Sequence, residues 1–326
     1  MRVNSRGFSA RLPFAALRVK SGALPRIICE MASRQSPEVG RHEARFCFMI
    51  SRMPDKTSSG ENAAYLRLGT SSFTAEGWEK TFYPQGMQAR DYLSYYATEF
   101  DTLEIDATFY RIPAESTVKG WYGKTPANFL FALKAPQGIT HERVLVDAEP
   151  ILKEFLRVTE HLGEKRGPIL FQFQYFNKKA FATPADFLAR LKPFLEKLPS
   201  EPRFALEIRN KTWLGPALYD LLRKHNIALA LIDHPWMPRP REWFTKGDAI
   251  TSDFTYIRWL GDRKAIEELT KTWDTTIVDR TRDLQEWVEA CRNFLKRKIR
   301  VFAFANNHYA GHAPATLRLL TELMER

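Results

Sequence analysis

From Tyr65 onward the chain alternates between two hydrophobic periods. Short runs rich in β-branched and aromatic residues read as strands at 65–70, 102–107, 129–134, 168–174, 203–208, 227–232, 254–259 and 300–305. Between most of them, apolar residues recur with the spacing of an amphipathic helix. Such faces are formed by Tyr92, Leu93, Tyr96 and Phe100, by Ile151, Leu152, Phe155, Thr159 and Leu162, and by Leu188, Leu191, Leu195 and Leu198. Leu284, Trp287, Val288, Cys291 and Leu295 form another, and Leu317, Leu320 and Met324 close the chain. A strand, a helix and a further strand imply parallel pairing with a crossover. Eight such units in about 260 residues predict an α/β single domain, a TIM-barrel-like (β/α)8 fold; a doubly wound open sheet is the alternative. The stretch between Asp233 and Thr255 lacks a long amphipathic pattern, and Pro235, Pro238 and Pro240 predict a loop there.

Period two also sorts each strand into two faces. Leu103, Ile105 and Ala107 oppose Glu104 and Asp106, and Phe131 and Leu133 oppose Ala132 and Lys134. Ile169, Phe171 and Phe173 oppose Gln172 and Gln174, while Phe204, Leu206 and Ile208 oppose Glu207 and Arg209. Asp233 and Arg258 close later strands. The apolar set is expected under the helices and the polar set at the barrel axis, near the C-terminal strand ends. Barrel interiors are ordinarily Val, Ile and Leu, and buried ions must pair or bind a ligand. The polar set is therefore either an active site or a self-satisfied ion network of Glu104 or Glu207 with Arg209, Lys134 or Arg258.

Composition changes the picture only at the N-terminus. The net charge is +11 over 326 residues, but residues 1–64 hold 11 Lys or Arg against 5 Asp or Glu. The body, residues 65–326, carries only +5, so the basic balance is no nucleic-acid footprint of the fold. Residues 1–64 read as a basic extension outside the fold, unstructured or translated from a start placed too early, with Met49 and Met53 as alternative starts. An Arg-rich, acid-poor presequence is the other reading. Cys29, Cys47 and Cys291 form neither a metal-binding spacing nor a disulfide framework, which fits a reducing, cytoplasmic setting. No apolar run approaches the length of a membrane span, so no membrane association is expected.

Further candidate chemistry lies in the loops after the strands. His141 follows the third strand, and Asn306, Asn307, His308 and His312 follow the last. With His234 beside Asp233 these offer donors, acceptors and ligands for a divalent metal, although Gly311 and Pro314 keep His308 and His312 from sharing one helix face. Walker A, dinucleotide-glycine, HExxH and nucleophile-elbow signatures are absent from the sequence, against nucleotide-driven and serine-hydrolase functions.

Six ordered segments carry a resemblance: GTSSF at Gly69, EIDATFYR at Glu104, FALKAPQGITHER at Phe131, GPILFQF at Gly167, ALEIRNKTW at Ala205 and FANNHYAGHAPAT at Phe304. From about Tyr65 to Arg326 the chain resembles the domain-of-unknown-function 72 family, the YecE-like proteins. The resemblance implies a TIM-barrel-like fold and no established reaction. Its recurring polar positions fall on Glu104, Thr108, Tyr110, Lys134, His141, Gln172, Glu207, Arg209, Asp233, Arg258, Asn306 and His312. Family members often carry a histidine two residues after the arginine of the seventh strand; here that place holds Leu260.

The resulting expectation is an enzyme with a polar, anion-binding active site at the barrel mouth. Glu104, Glu207, Asp233 and His141 are the candidate catalytic residues. Tyr110, Lys134, Gln172, Arg209, Arg258, Asn306, Asn307 and His312 are the candidate substrate-binding residues, and a metal is left open. A hydrolase or lyase acting on a small anionic, phosphorylated or nucleic-acid substrate fits these groups. A glycosidase fits poorly, because Gln172, Gln174 and Arg258 hold the places where barrel glycosidases carry carboxylates. The alternative is a binding protein without turnover for nucleic acid or an anionic metabolite, with Tyr110, Trp213, Trp236 and Trp243 available for stacking.

Overall fold

The computed structural model describes residues 65–326; the expectations for residues 1–64 lie outside the described residues. Eight strands form one sheet: β1 (Leu66–Thr70), β2 (Thr102–Ile105), β3 (Leu130–Lys134), β4 (Arg166–Gln172), β5 (Phe204–Glu207), β6 (Ala228–Asp233), β7 (Phe254–Trp259) and β8 (Arg300–Ala305). Their order is β1-β8-β7-β6-β5-β4-β3-β2, and every hydrogen-bonded pair is parallel. The first and last strands of this order meet. A Cβ added to Gly69 would lie 2.2 Å from the Thr102 carbonyl oxygen, so β1 and β2 approach as closely as a glycine allows. The Tyr96 hydroxyl bridges this seam, accepting from the Thr70 backbone N–H at 2.8 Å and donating to the Thr102 carbonyl at 3.2 Å. The sheet is thus a nearly closed barrel, and the open doubly wound alternative falls away.

Helices α1 (Tyr92–Glu99), α2 (Glu115–Gly123), α3 (Glu149–Thr159), α4 (Pro184–Leu195) and α5 (Pro216–Lys224) follow β1 to β5 in turn. Helices α6 (Arg263–Leu269) and α7 (Thr281–Lys296) follow β7, and α8 (Ala313–Glu325) follows β8. Between β6 and β7 lies only a 3-10 turn, Pro240–Phe244, as the prolines require. Some expected faces shift. α3 ends at Thr159, and Leu162 packs from a 3-10 segment; α4 ends at Leu195 and buries Phe187 and Phe194 beside Leu191, while Leu188 and Leu198 pack only partly buried.

The alternation assigns two apolar layers. Leu103, Ile105, Phe131, Leu133, Ile169, Phe171, Leu206 and Ile208 join the large core under the helices. Inside the barrel, Ala132, Leu170, Ala205, Ala228 and Ala230 face Phe254, Tyr256, Phe302 and Phe304. Small side chains from one wall leave room for aromatics from the other, filling the lower barrel without a channel. No helix among the described residues is long and apolar enough to cross a membrane.

Candidate functional site

Above the apolar plug, the inward positions turn polar. Arg258 on β7 is the centre and is 2% exposed. Its Nη1 donates to Glu207 at 2.8 Å, its Nη2 and Nε to Glu104 at 2.7 and 3.2 Å, and its Nη2 also reaches Asp106 at 3.3 Å. Tyr256, two residues earlier on the same face, donates its hydroxyl to the other Glu104 oxygen at 2.6 Å. Arg209 Nε donates to the second Glu207 oxygen at 2.9 Å. Glu104 and Glu207 are fully buried. Ions so far from water survive only when paired and hydrogen-bonded, and these two are. The self-satisfied network thus accounts for Glu104, Glu207 and Arg258.

The remaining charges sit higher. β2 ends at Ile105, because the Thr108 hydroxyl is shared between the carbonyls of Ile105 (2.8 Å) and Lys134 (2.7 Å). This turns Asp106 into the mouth, where its side chain stays 31% exposed. Lys134, ending β3, is 12% exposed at its side chain; its Nζ lies 3.9 Å from Asp106 and 4.1 Å from the centre of the Phe109 ring. His141 packs edge-on against the same ring at 4.8 Å, in a π-helical turn over Gly138–Glu142, with Thr140 Oγ1 at 2.9 Å from its Nδ1. Such turns recur at functional sites. Gln172 is buried, donates to the Phe173 carbonyl at 2.7 Å and lies directly opposite Glu207 in the β4–β5 register. Beyond the end of β4 the Asn210 side chain clamps Phe176 through two hydrogen bonds.

These surroundings push the titratable groups apart. Burial, reinforced by Glu104, raises the Asp106 carboxyl to about 6, against the opposing pull of Arg258 and Lys134. Burial acts the same way on Glu207, but Arg258 and Arg209 outweigh it and hold that carboxyl at about 2. Burial lowers the Lys134 ammonium, partly offset by Asp106. It also lowers His141, helped by the positive charges of Lys134 and Arg209.

The other sequence candidates lie elsewhere. Asp233 is in phase with Leu229 and Leu231, which pack under the helices. Its carboxylate accepts from Trp287 Nε1 on α7 at 2.7 Å and from the Tyr309 hydroxyl at 3.0 Å, with Arg239 at 3.5 Å. It braces β6 against α7 and is not joined to the Arg258 cluster. Asn306 caps the turn after β8, accepting from the His308 backbone N–H at 3.0 Å, and Asn307 accepts from Ala313 N at 2.9 Å. His308 meets Glu267 at 3.0 Å. His312 is buried edge-on to Trp78, where burial drives it down to about 4. The histidines and Asp233 considered as metal ligands are thus dispersed; among the described residues no group of three or more His, Cys, Asp or Glu is arranged to hold a metal ion. An outer groove of about 470 Å3 between α3 and α4 is lined by none of the mouth residues.

Sequence reasoning placed Asp106 on the inward face without naming it a site residue. Of the exposed aromatics at the rim it named Tyr110 and Trp236 and missed Tyr175. Tyr110, Tyr175 and Trp236 are 73%, 64% and 77% exposed, and they sit in the loops after β2, β4 and β6 respectively. Trp213 and Trp243, by contrast, pack into the core, Trp213 against Phe176 and Phe187.

The known proteins this chain is similar to agree with the geometry. The sequence model of the family described as "Protein of unknown function DUF72" matches residues 67–326. UPF0759 protein YunF of Bacillus subtilis is 25% identical over 267 residues, 76% of this chain and 93% of that protein. UPF0759 protein YecE of Escherichia coli K12 is 30% identical over 122 residues, covering 36% of this chain and 41% of YecE. The crystal structure of a DUF72 family protein from Thermotoga maritima superposes with a TM-score of 0.61 at 25% identity, over 80% of this chain and 99% of that one. One from Enterococcus faecalis shares the fold, with a TM-score of 0.58 at 21% identity over 80% and 96% of the two chains. A family match across residues 67–326, with YunF matched over 93% of its own length, establishes that the chain belongs to the DUF72 family.

Proposed function

We propose that the C-terminal mouth binds a small anionic substrate and transfers a proton to or from it, as a hydrolase or lyase does. One observation carries this reading. Beneath the mouth Arg258 is consumed by carboxylates, whereas the Nη atoms of Arg209 and the Nζ of Lys134 make no hydrogen bond among the described residues. Those donors suit a carboxylate or phosphate, and Arg209 offers the planar fork that such a group takes. Acid–base work falls to Asp106 rather than to Glu104 or Glu207. It is the one carboxyl of the three with access to solvent, and a group poised at about 6 exchanges protons near neutrality. His141 is a second proton carrier at the same rim.

The test is inorganic phosphate titrated into the wild-type protein and into Arg209→Ala, followed calorimetrically. Saturable binding, weakened about tenfold or more in the variant, supports the reading, since a charge-assisted hydrogen bond contributes about 1.5–3 kcal/mol. Binding unchanged by the substitution removes it.

The exposed Tyr110, Tyr175 and Trp236 favour a second reading, a nucleic-acid strand stacking across the mouth without turnover. Oligonucleotide affinity that falls steeply with salt supports it, and salt-insensitive or absent binding opposes it.

A further inference from the structure

We infer that Lys134 is a covalent nucleophile, its Nζ forming an imine with the carbonyl carbon of a substrate that also carries a carboxylate or phosphate. The inference rests on the anion-site reading above and names its substrate class: oxo acids and phosphorylated aldehydes or ketones.

Among the described residues two lysines are withdrawn from solvent, and they are built differently. Lys165 is 4% exposed, and its Nζ is saturated by the Tyr122 and Thr125 carbonyls, each at 2.7 Å, beside the C-terminus of α2. That is a structural ammonium, held by acceptors that need its protons. Lys134 Nζ is nearly as enclosed, yet it has no hydrogen-bond acceptor among the described residues. Its neighbours are the face of Phe109 and one Asp106 oxygen at 3.9 Å, too far for a hydrogen bond. A lysine withdrawn from water, with a further cation in the same cluster, is a setting that favours loss of the amine's proton and makes it nucleophilic. Arg258, in the same ion cluster, is that cation and acts in this direction, as does burial; Asp106, Glu207 and Glu104 oppose them, and the net effect makes the ammonium easier to deprotonate than a free lysine.

At 3.9 Å, Asp106 is near enough to Lys134 for its carboxyl to reach a hydroxyl on a carbon bonded to Nζ. The amine lone pair bonds the carbonyl carbon as the C=O π pair moves to oxygen. A proton passes from nitrogen to that oxygen, giving a carbinolamine. The Asp106 carboxyl then donates its proton to the hydroxyl, which departs as water as the C–O bond breaks. The products are the protonated imine on Lys134, one water and the Asp106 carboxylate, so charge and atoms balance without an oxidant or reductant. The new cation stays beside Asp106, and Arg209 is at hand for the substrate's anionic group.

Reductive trapping tests this. The full chain is incubated with glyoxylate, or with the neutral aldehyde glycolaldehyde, in sodium cyanoborohydride, and the adducts are mapped by peptide mass spectrometry. The expected result is one adduct with glyoxylate, on Lys134, forming about tenfold faster than on exposed lysines such as Lys119 and lost in Lys134→Arg. Selective labelling by both aldehydes at equal rates upholds the imine and overturns the anion site. Adducts spread over surface lysines, with Lys134 unlabelled, overturn the imine, and the phosphate titration still judges the anion site on its own. Mapping of the wild-type chain decides the matter even where Lys134→Arg does not fold.

Discussion

Arg258 is one guanidinium shared among three carboxylates, and its removal exposes the imbalance. Arg258→Met leaves Glu104 and Glu207 fully buried with their central cation gone. Breaking a buried network from one side costs about 3–5 kcal/mol, so the variant is expected to unfold at much lower denaturant. Adding Glu104→Gln and Glu207→Gln to the same chain should recover part of that loss, because it removes the stranded charges. No recovery would mean that the network's worth lies in packing. A second residue-scale expectation concerns pH. Protonation of Asp106 through about 6 removes one negative charge facing Lys134, Arg258, Glu104 and Glu207. Affinity for sulfate, whose charge is constant in this range, should therefore rise as the pH falls from 8 to 5, and Asp106→Asn should bind at pH 8 as the wild type does at pH 5. His141 takes up a proton in the same direction, so a dependence that survives in Asp106→Asn would assign the effect to His141.

At the scale of elements, the barrel depends on its seam. Gly69→Ala would press a methyl group onto the Thr102 carbonyl of a strand that has no room to retreat. A destabilisation of about 1–3 kcal/mol is expected from such overpacking. Tyr96→Phe leaves the buried Thr70 N–H without its acceptor and should cost about 1–3 kcal/mol in chemical denaturation. The elements were largely legible in the sequence because periods of two and 3.6 residues leave different prints, and the inward placement of Glu104, Lys134 and Glu207 followed from the first of them, while Arg258 was placed by its position at a strand end. Asp233 shows the limit. Its alternation with Leu229 and Leu231 already pointed under the helices, but its position at a strand end drew it into the mouth set. The loop histidines had no period to place them, so the separate surroundings of His141, His234, His308 and His312 emerged only in three dimensions.

At the largest scale, residues 65–326 form a barrel closed below by alanines against aromatics, neutralised in its middle, and supplied above with donors that make no hydrogen bond among the described residues. Three carboxylates and three cations, Arg258, Arg209 and Lys134, balance while Asp106 is ionised. A mouth that is neutral at rest recruits an anion through placed hydrogen bonds more than through a long-range field, which accords with a body charge of only +5. Affinity for a small anion should accordingly depend weakly on added salt, and a steep dependence would instead favour the extended strand suggested by Tyr110, Tyr175 and Trp236.

The measurement that bears most directly on this account is the thermal unfolding of the wild type and of Arg209→Ala across a phosphate series at pH 5.5. A ligand that binds only the folded state raises its stability with concentration. The account predicts a saturable rise in Tm for the wild type that is absent or strongly reduced in Arg209→Ala. Equal rises in the two proteins, or none in the wild type, would contradict an anion site at the barrel mouth.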